Sequence, residues 1–121
     1  MAIKTFYHVT LKSKLNNIQK NGLNKNLKNV KISKGVNYVM DNIFDAGIFA
    51  SKMAWETGKN VVIIHLKLDT GKIKPDKNIG AYNSWMEYNY DIPPSAITKI
   101  THVDDKFWKS HQKRMKKRFE R

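Results

Sequence analysis

The chain has 121 residues, contains no cysteine and carries a formal net charge of +13, from 23 Lys and Arg against 10 Asp and Glu. This length fits one domain, and the absence of cysteine excludes disulfide bonds, cysteine-zinc sites and thiol nucleophiles. The basic charge favours partners that carry phosphate or other acidic groups. There is no signal-peptide pattern and no apolar run near the ~20 residues of a membrane-spanning helix, so we expect a cytoplasmic protein without membrane contact.

The first half of the chain predicts two strands, each followed by a helix. Residues 3–9 form the first predicted strand, Ser13 is the predicted cap of the helix that follows, and Asn21-Gly22 ends that helix. Residues 35–40 predict the second strand. A second helix then begins at Asp41 or Asn42 and ends at Gly58. Its small and apolar positions recur with helical spacing: Ile43, Ala46, Ala50, Met53 and Ala54.

The second half predicts three more strands and a basic helix. Residues 61–68 give the clearest strand, with Val62, Ile64, Leu66 and Leu68 on one face. Residues 75–83 predict an irregular loop, and residues 86–90 and 96–103 predict the last two strands. Residues 104–121 predict a basic amphipathic helix. The fold class is therefore mixed α+β in the order β-α-β-α-β-β-β-α, with a domain at 1–103 and the helix at 104–121.

The common catalytic and metal-binding signatures are absent from the sequence. The four histidines lie far apart, without an H-x-x-x-H or H-x-H pair, so no metal site is predicted. The sequence also lacks the G-x-S-x-G of a serine hydrolase, the P-loop and the G-x-G-x-x-G dinucleotide fingerprint.

Three short motifs nevertheless occur in a meaningful order. The first is Phe6-Tyr7-His8-Val9-Thr10, on a strand that leads into a helix. The second is Gly35-Val36-Asn37-Tyr38-Val39-Met40-Asp41, followed by Ala46-Gly47-Ile48-Phe49-Ala50. The third is Trp85-Met86-Glu87-Tyr88-Asn89-Tyr90, followed by Pro94-Ser95-Ala96-Ile97. Together, over about residues 5–103, they resemble the ADP-ribosyltransferase fold in its His-Tyr-Glu form, the subclass of the poly(ADP-ribose) polymerases and related small bacterial and phage enzymes. The resemblance implies short strands in split sheets with two packed helices.

The resemblance also implies roles for individual residues. Glu87, His8 and Tyr38 would be the catalytic residues, and NAD would be consumed as a substrate without any metal. His8 would hydrogen-bond a ribose hydroxyl, Tyr38 would stack on the nicotinamide ring, and Glu87 would stabilise the oxocarbenium-like ribose. The predicted NAD-binding residues are His8, Val9, Thr10, Tyr38, Ala46 and Phe49.

Three positions depart from the pattern of the family. A glycine or other small residue usually follows the histidine, where this chain has Val9. A small polar residue often faces the carboxamide, where this chain has Ala46. Trp85 stands two residues before Glu87, in place of the carboxylate or amide of the arginine-specific enzymes. An arginine acceptor is therefore disfavoured.

The C-terminal segment concentrates basic charge. Eight Lys or Arg and one acidic residue lie between Lys106 and Arg121, interleaved with aromatic residues. This pattern occurs in solvated helices and also in elements that contact phosphates. The candidate nucleic-acid contacts are Lys113, Arg114, Lys116, Lys117 and Arg118.

The sequence thus predicts a mono-ADP-ribosyltransferase that cleaves NAD and modifies a macromolecular acceptor, either protein or nucleic acid. A composition rich in Lys, Asn and Ile indicates a bacterial or phage gene. A toxin or phage counter-defence effector, acting in the host cytoplasm if phage-encoded, is the expected setting. Two alternatives stay open: a non-enzymatic basic nucleic-acid-binding protein, and a variant of the same fold that binds an ADP-ribose ligand or only hydrolyses NAD.

Overall fold

A computed structural model describes residues 2–23, 37–75, 85–88 and 90–103. Within these ranges the protein is a mixed α+β domain of six strands and two α-helices. In chain order the elements are β1 (Ile3–Leu11), α1 (Leu15–Asn21), β2 (Asn37–Met40), α2 (Ile43–Thr57), β3 (Val61–Asp69), β4 (Ile73–Pro75), β5 (Trp85–Tyr88) and β6 (Ile97–His102).

The six strands form one antiparallel sheet in the order β4-β5-β2-β1-β3-β6. Strands β1 and β3 pair along their whole length, from Ile3 opposite Asp69 to Leu11 opposite Val61. In contrast, the register of β1 with β2 consists of one described pair, Tyr7 opposite Met40.

Each face of the sheet carries its own hydrophobic core. One core joins α1 to the even-numbered positions of β3 and includes Phe6, Ile18, Val62, Ile64 and Leu66. The other lies under α2, which packs on β1, β2 and β3. Its members include Val9, Met40, Ala46, Ala50 and Ile63. We refer to these two sides of the sheet as the α1 face and the α2 face.

Local sequence signals account for the ends of the helices. The Asn42 side chain accepts hydrogen bonds from the backbone N–H groups of Phe44 and Asp45 in the first turn of α2. Gly58 ends α2 in the left-handed conformation at φ 64°. Gly22 ends α1 at φ 76° and places Leu23 in the core. The predicted helix ends at Asn42, Gly58 and Gly22 are confirmed.

The structure corrects three predictions of local structure. Ser13 does not cap α1, because the chain first makes a 3-10 turn over Lys12–Lys14 and the N-cap position falls on Lys14. Strand β4 at Ile73–Pro75 was absent from the predicted order. The strands form one connected sheet and not split sheets, because the Tyr7–Met40 pair still joins β1 to β2.

Residues 76–83 of the predicted loop and the predicted helix at 104–121 lie outside the described residues, as do the candidate nucleic-acid contacts Lys113, Arg114, Lys116, Lys117 and Arg118. In the part of the chain that the structure describes, no helix is long and apolar enough to cross a membrane.

Candidate functional site

His8 lies on β1, directly after Tyr7, the residue that pairs with Met40 of β2. Its Nδ1 atom is 2.9 Å from the backbone carbonyl oxygen of Tyr38. Since a carbonyl oxygen only accepts hydrogen bonds, Nδ1 carries the proton and donates it. The side chain of His8 on β1 is therefore linked to the backbone of β2.

The protonation state of His8 follows from its surroundings. Burial lowers the pKa of His8 from its ordinary value; the bond to the Tyr38 carbonyl opposes this effect, and the charge of Lys14 adds to it. The neutral ring is thus favoured near pH 7. With the proton on Nδ1, the Nε2 atom of this neutral ring is a hydrogen-bond acceptor, suited to a hydroxyl donor.

Tyr38 and Glu87 face each other directly across β2 and β5. They are register partners in the antiparallel ladder, so their side chains project from the same face of the sheet. Lys74 on β4 is in turn the register partner of Glu87. A row of three side chains, Lys74, Glu87 and Tyr38, therefore crosses three neighbouring strands on the α2 face.

Helix α2 contributes the remaining predicted contacts on this face. Phe49 is half-buried and packs at the edge of the core under α2. Ala46 is fully buried and Val9 is 8% exposed, and both belong to that core. The bulk of Val9 is thus taken up by packing beneath α2. Thr10 is also buried.

The structure brings some of the predicted site residues together and separates others. Tyr38, Glu87, Phe49 and Ala46 belong to the α2 face. His8 is the register partner of Ile64, a residue of the core on the α1 face, so alternation directs its side chain to the opposite side. The His8 ring nevertheless reaches the Tyr38 backbone, where its Nδ1–H donates to the carbonyl oxygen. The contact between His8 and the residues of the α2 face is therefore made through the backbone of β2.

A second polar feature lies at the far end of β1 and β3. Two adjoining surface grooves share Lys12 and Asn60 in their walls. The backbone N–H of Lys12 donates to the Asn60 carbonyl oxygen at 2.9 Å, which fixes the shape of this corner. Among the described residues, the charged or titratable side chains of the lining are basic: Lys12, Lys59 and His102.

His65 belongs to a polar cluster on β3 that is separate from His8. Its Nε2 atom is 2.7 Å from the Thr101 hydroxyl, and its ring packs edge-on against Tyr7 with centroids 5.1 Å apart. Burial, and then the charge of Lys99, lower the pKa of His65. These contacts hold the His65 ring between Tyr7 on β1 and Thr101 on β6.

The two histidines predict a specific dependence of stability on pH. Because folding lowers the pKa of His8 and of His65, the unfolded chain binds more protons than the native protein just below pH ~6.5. The free energy of unfolding should therefore fall as the pH drops from 7 toward 5, by at most about 1.4 kcal/mol per pH unit for each histidine. Urea unfolding at a series of pH values measures this slope.

The variant His8→Asn provides the control for this prediction, since an amide does not titrate in this range. Its slope between pH 5 and 7 should be smaller than that of the wild-type protein, with the contribution of His65 retained. A wild-type stability that is flat or rises on acidification contradicts the assignment of a buried, neutral His8.

Sequence reasoning missed two contacts of the candidate site. Lys74 was assigned no role because the three-residue strand that carries it ends in Pro75 and gives almost no periodic signal. The alternation of apolar Ile73 with charged Lys74 is the one signal that favours a strand there. The bond from His8 to the Tyr38 backbone leaves no trace in the sequence, since any residue provides a carbonyl.

Among the described residues, no group of three or more His, Cys, Asp or Glu side chains is arranged to hold a metal ion. No protein-family model matches the chain, and a search of curated proteins found none that is similar to it.

Proposed function

We propose that this chain is a mono-ADP-ribosyltransferase of the His-Tyr-Glu type, with an ADP-ribosyltransferase-like fold. The observation that carries the proposal is the arrangement around Tyr38. Its side chain faces Glu87 across the β2–β5 ladder, and its backbone carbonyl accepts from His8. Tyr38 on β2 thus links His8 on β1 to Glu87 on β5, although the three residues lie far apart in sequence.

In this proposal Glu87 acts at the anomeric carbon of the nicotinamide ribose. The C1′–N bond breaks with both electrons going to nicotinamide, and the half-buried carboxylate stabilises the positive charge that develops on the ribose. The acceptor gives an electron pair to C1′ and loses its proton to Glu87 and then to water. The products are ADP-ribosylated acceptor, nicotinamide and a proton.

Tyr38 and His8 would hold NAD for this step. The ring of Tyr38, one strand away from Glu87, would stack on nicotinamide and so keep the bond to be broken beside the carboxylate. The Nε2 atom of neutral His8 would accept from a ribose hydroxyl, which requires this hydroxyl to reach the α1 face, to which the His8 ring is directed. Phe49, at the edge of the core under α2, is positioned on the face that Tyr38 shares and would supply the second aromatic contact.

The departures at Val9 and Ala46 are compatible with this function. Both side chains belong to the core under α2, where a valine and an alanine fill space. The contact of Val9 with the carboxamide would be made by its backbone, which does not depend on the size of the side chain. The missing hydroxyl at Ala46 would weaken nicotinamide binding by one hydrogen bond.

Incubation with NAD labelled in its adenylate part, in cell lysate, tests the proposal. Label on a macromolecule with the wild-type protein and none with Glu87→Gln supports a transferase that acts on protein or nucleic acid. Nicotinamide release without transfer of label indicates a glycohydrolase of the same fold. No label and no nicotinamide release contradict the proposal.

The second candidate is a non-enzymatic nucleic-acid-binding protein. It is favoured by the net charge of +13 and by the basic groove at Lys12, Lys59 and His102. This function predicts that a DNA or RNA oligomer binds more weakly as the salt concentration rises. For a duplex, the logarithm of the binding constant should fall with the logarithm of the salt concentration, with a slope of about −0.9 for each phosphate contacted. Salt-dependent binding without any turnover of NAD selects this candidate.

A further inference from the structure

Lys74 occupies a defined position next to the proposed catalytic carboxylate. It is the register partner of Glu87 across β4 and β5, as Tyr38 is across β5 and β2. Directly opposed residues on one face have Cβ atoms about 4.5–5.5 Å apart. An ammonium, a carboxylate and a phenol therefore follow one another along a single row, each one strand from the next.

The charge of Lys74 is not neutralised within the described part of the chain. Lys74 is exposed, and neither it nor Glu87 takes part in an ion pair within 4.0 Å among the described residues. Opposite charges that face each other across strands commonly pair with each other. Here Lys74 and Glu87 project side by side from the α2 face without forming such a pair among the described residues. The Lys74 ammonium is therefore available to an anion that lies beside Glu87.

We propose that Lys74 binds a phosphate group next to the carbon at which Glu87 acts, an inference that rests on the proposed function. The order of the row is complementary to the order of charges in the reaction. Tyr38 meets the flat nicotinamide, Glu87 meets the cationic ribose, and Lys74 meets an anion on the far side of that ribose. An ammonium bound to phosphate forms a charge-assisted contact, and phosphate is the anion common to NAD and nucleic acids.

That phosphate has two possible sources. It belongs either to the diphosphate of NAD itself or to the backbone of a nucleic-acid acceptor that approaches C1′ from the side of β4. In the first case Lys74 contributes to the binding of NAD. In the second case it selects the acceptor and leaves the cleavage of NAD unchanged.

The experiment compares the wild-type protein with Lys74→Gln and with Lys67→Gln as the matched control. Lys67 is also an exposed lysine in the sheet, on β3, and its replacement removes the same charge far from Glu87. Three quantities are measured for each protein: the affinity for ADP-ribose by calorimetry, the KM for NAD in nicotinamide release, and the initial rate of label transfer to a single-stranded DNA or RNA oligomer.

If the diphosphate of NAD is the ligand, Lys74→Gln weakens ADP-ribose binding and raises KM about fivefold relative to Lys67→Gln. If the acceptor supplies the phosphate, binding and KM stay at the control values and the rate of transfer to the oligomer falls about fivefold. Values within twofold of the control in all three measurements overturn the inference alone. A wild-type protein that neither binds ADP-ribose nor releases nicotinamide overturns the proposed function together with it.

Discussion

Replacing Glu87 by Gln should lower the rate of NAD cleavage by about 10²- to 10³-fold while the affinity for NAD changes little. Glutamine keeps the size of the side chain and its position opposite Tyr38, but it removes the negative charge that stabilises the ribose cation. An interaction made mainly in the transition state affects kcat and leaves substrate binding intact. Steady-state kinetics of nicotinamide release, together with calorimetric titration with NAD, measure both quantities.

Glu56→Gln is the matched control for this variant. Glu56 lies near the end of α2 with its side chain 65% exposed, and its contact with Lys52 at 3.9 Å is a surface ion pair of little energetic weight. This variant should retain wild-type activity. Equal activity of Glu87→Gln and Glu56→Gln contradicts the catalytic role of Glu87 even if the protein turns out to bind NAD.

The variant Gly22→Ala should destabilise the protein by about 4 kcal/mol, a large fraction of the stability of a small domain. Gly22 has φ 76° and ψ −167°, a conformation that is essentially restricted to glycine. An added Cβ would overlap the Ile92 carbonyl oxygen, and it would lie 3.1 Å from the Pro93 Cα atom. The same carbonyl accepts from the Leu23 N–H at 2.8 Å, so relief of the overlap would break this backbone pairing.

Gly58→Ala separates backbone strain from steric overlap. Gly58 also has a positive φ, 64°, but an added Cβ there meets no atom within 4 Å. Its replacement should cost about 1 kcal/mol, the penalty for a left-handed alanine. Urea unfolding of both variants measures the difference. Similar losses at the two glycines contradict the close approach of Gly22 to the segment at Ile92 and Pro93.

The sequence was most informative where one face of an element is buried. Strand β3 was predicted to within a residue of its observed end, because its even-numbered side chains alternate into the core on the α1 face. The cap at Asn42 and the positive φ values at Gly22 and Gly58 were predictable, because amide acceptors and glycines have local reasons to occupy helix ends. The mixed α+β class followed from these elements.

Features that depend on contacts between distant segments could not be predicted in this way. Strand β4 exists because three residues pair with β5, and such a short segment has too few residues to show a period. The order of His8, Tyr38 and Glu87 along the chain is visible in the sequence. The row of Lys74, Glu87 and Tyr38 depends instead on the register of three strands, which only the structure provides.

Nicotinamide release from NAD by the purified protein tests the central claim most directly, since it requires no knowledge of the acceptor. We expect the wild-type protein to release nicotinamide above the rate in its absence, and we expect Glu87→Gln, shown by its unfolding curve to be folded, to lose this activity. A folded wild-type protein that releases no nicotinamide, and whose thermal unfolding midpoint NAD does not change, contradicts the assignment of His8, Tyr38 and Glu87 to an NAD site.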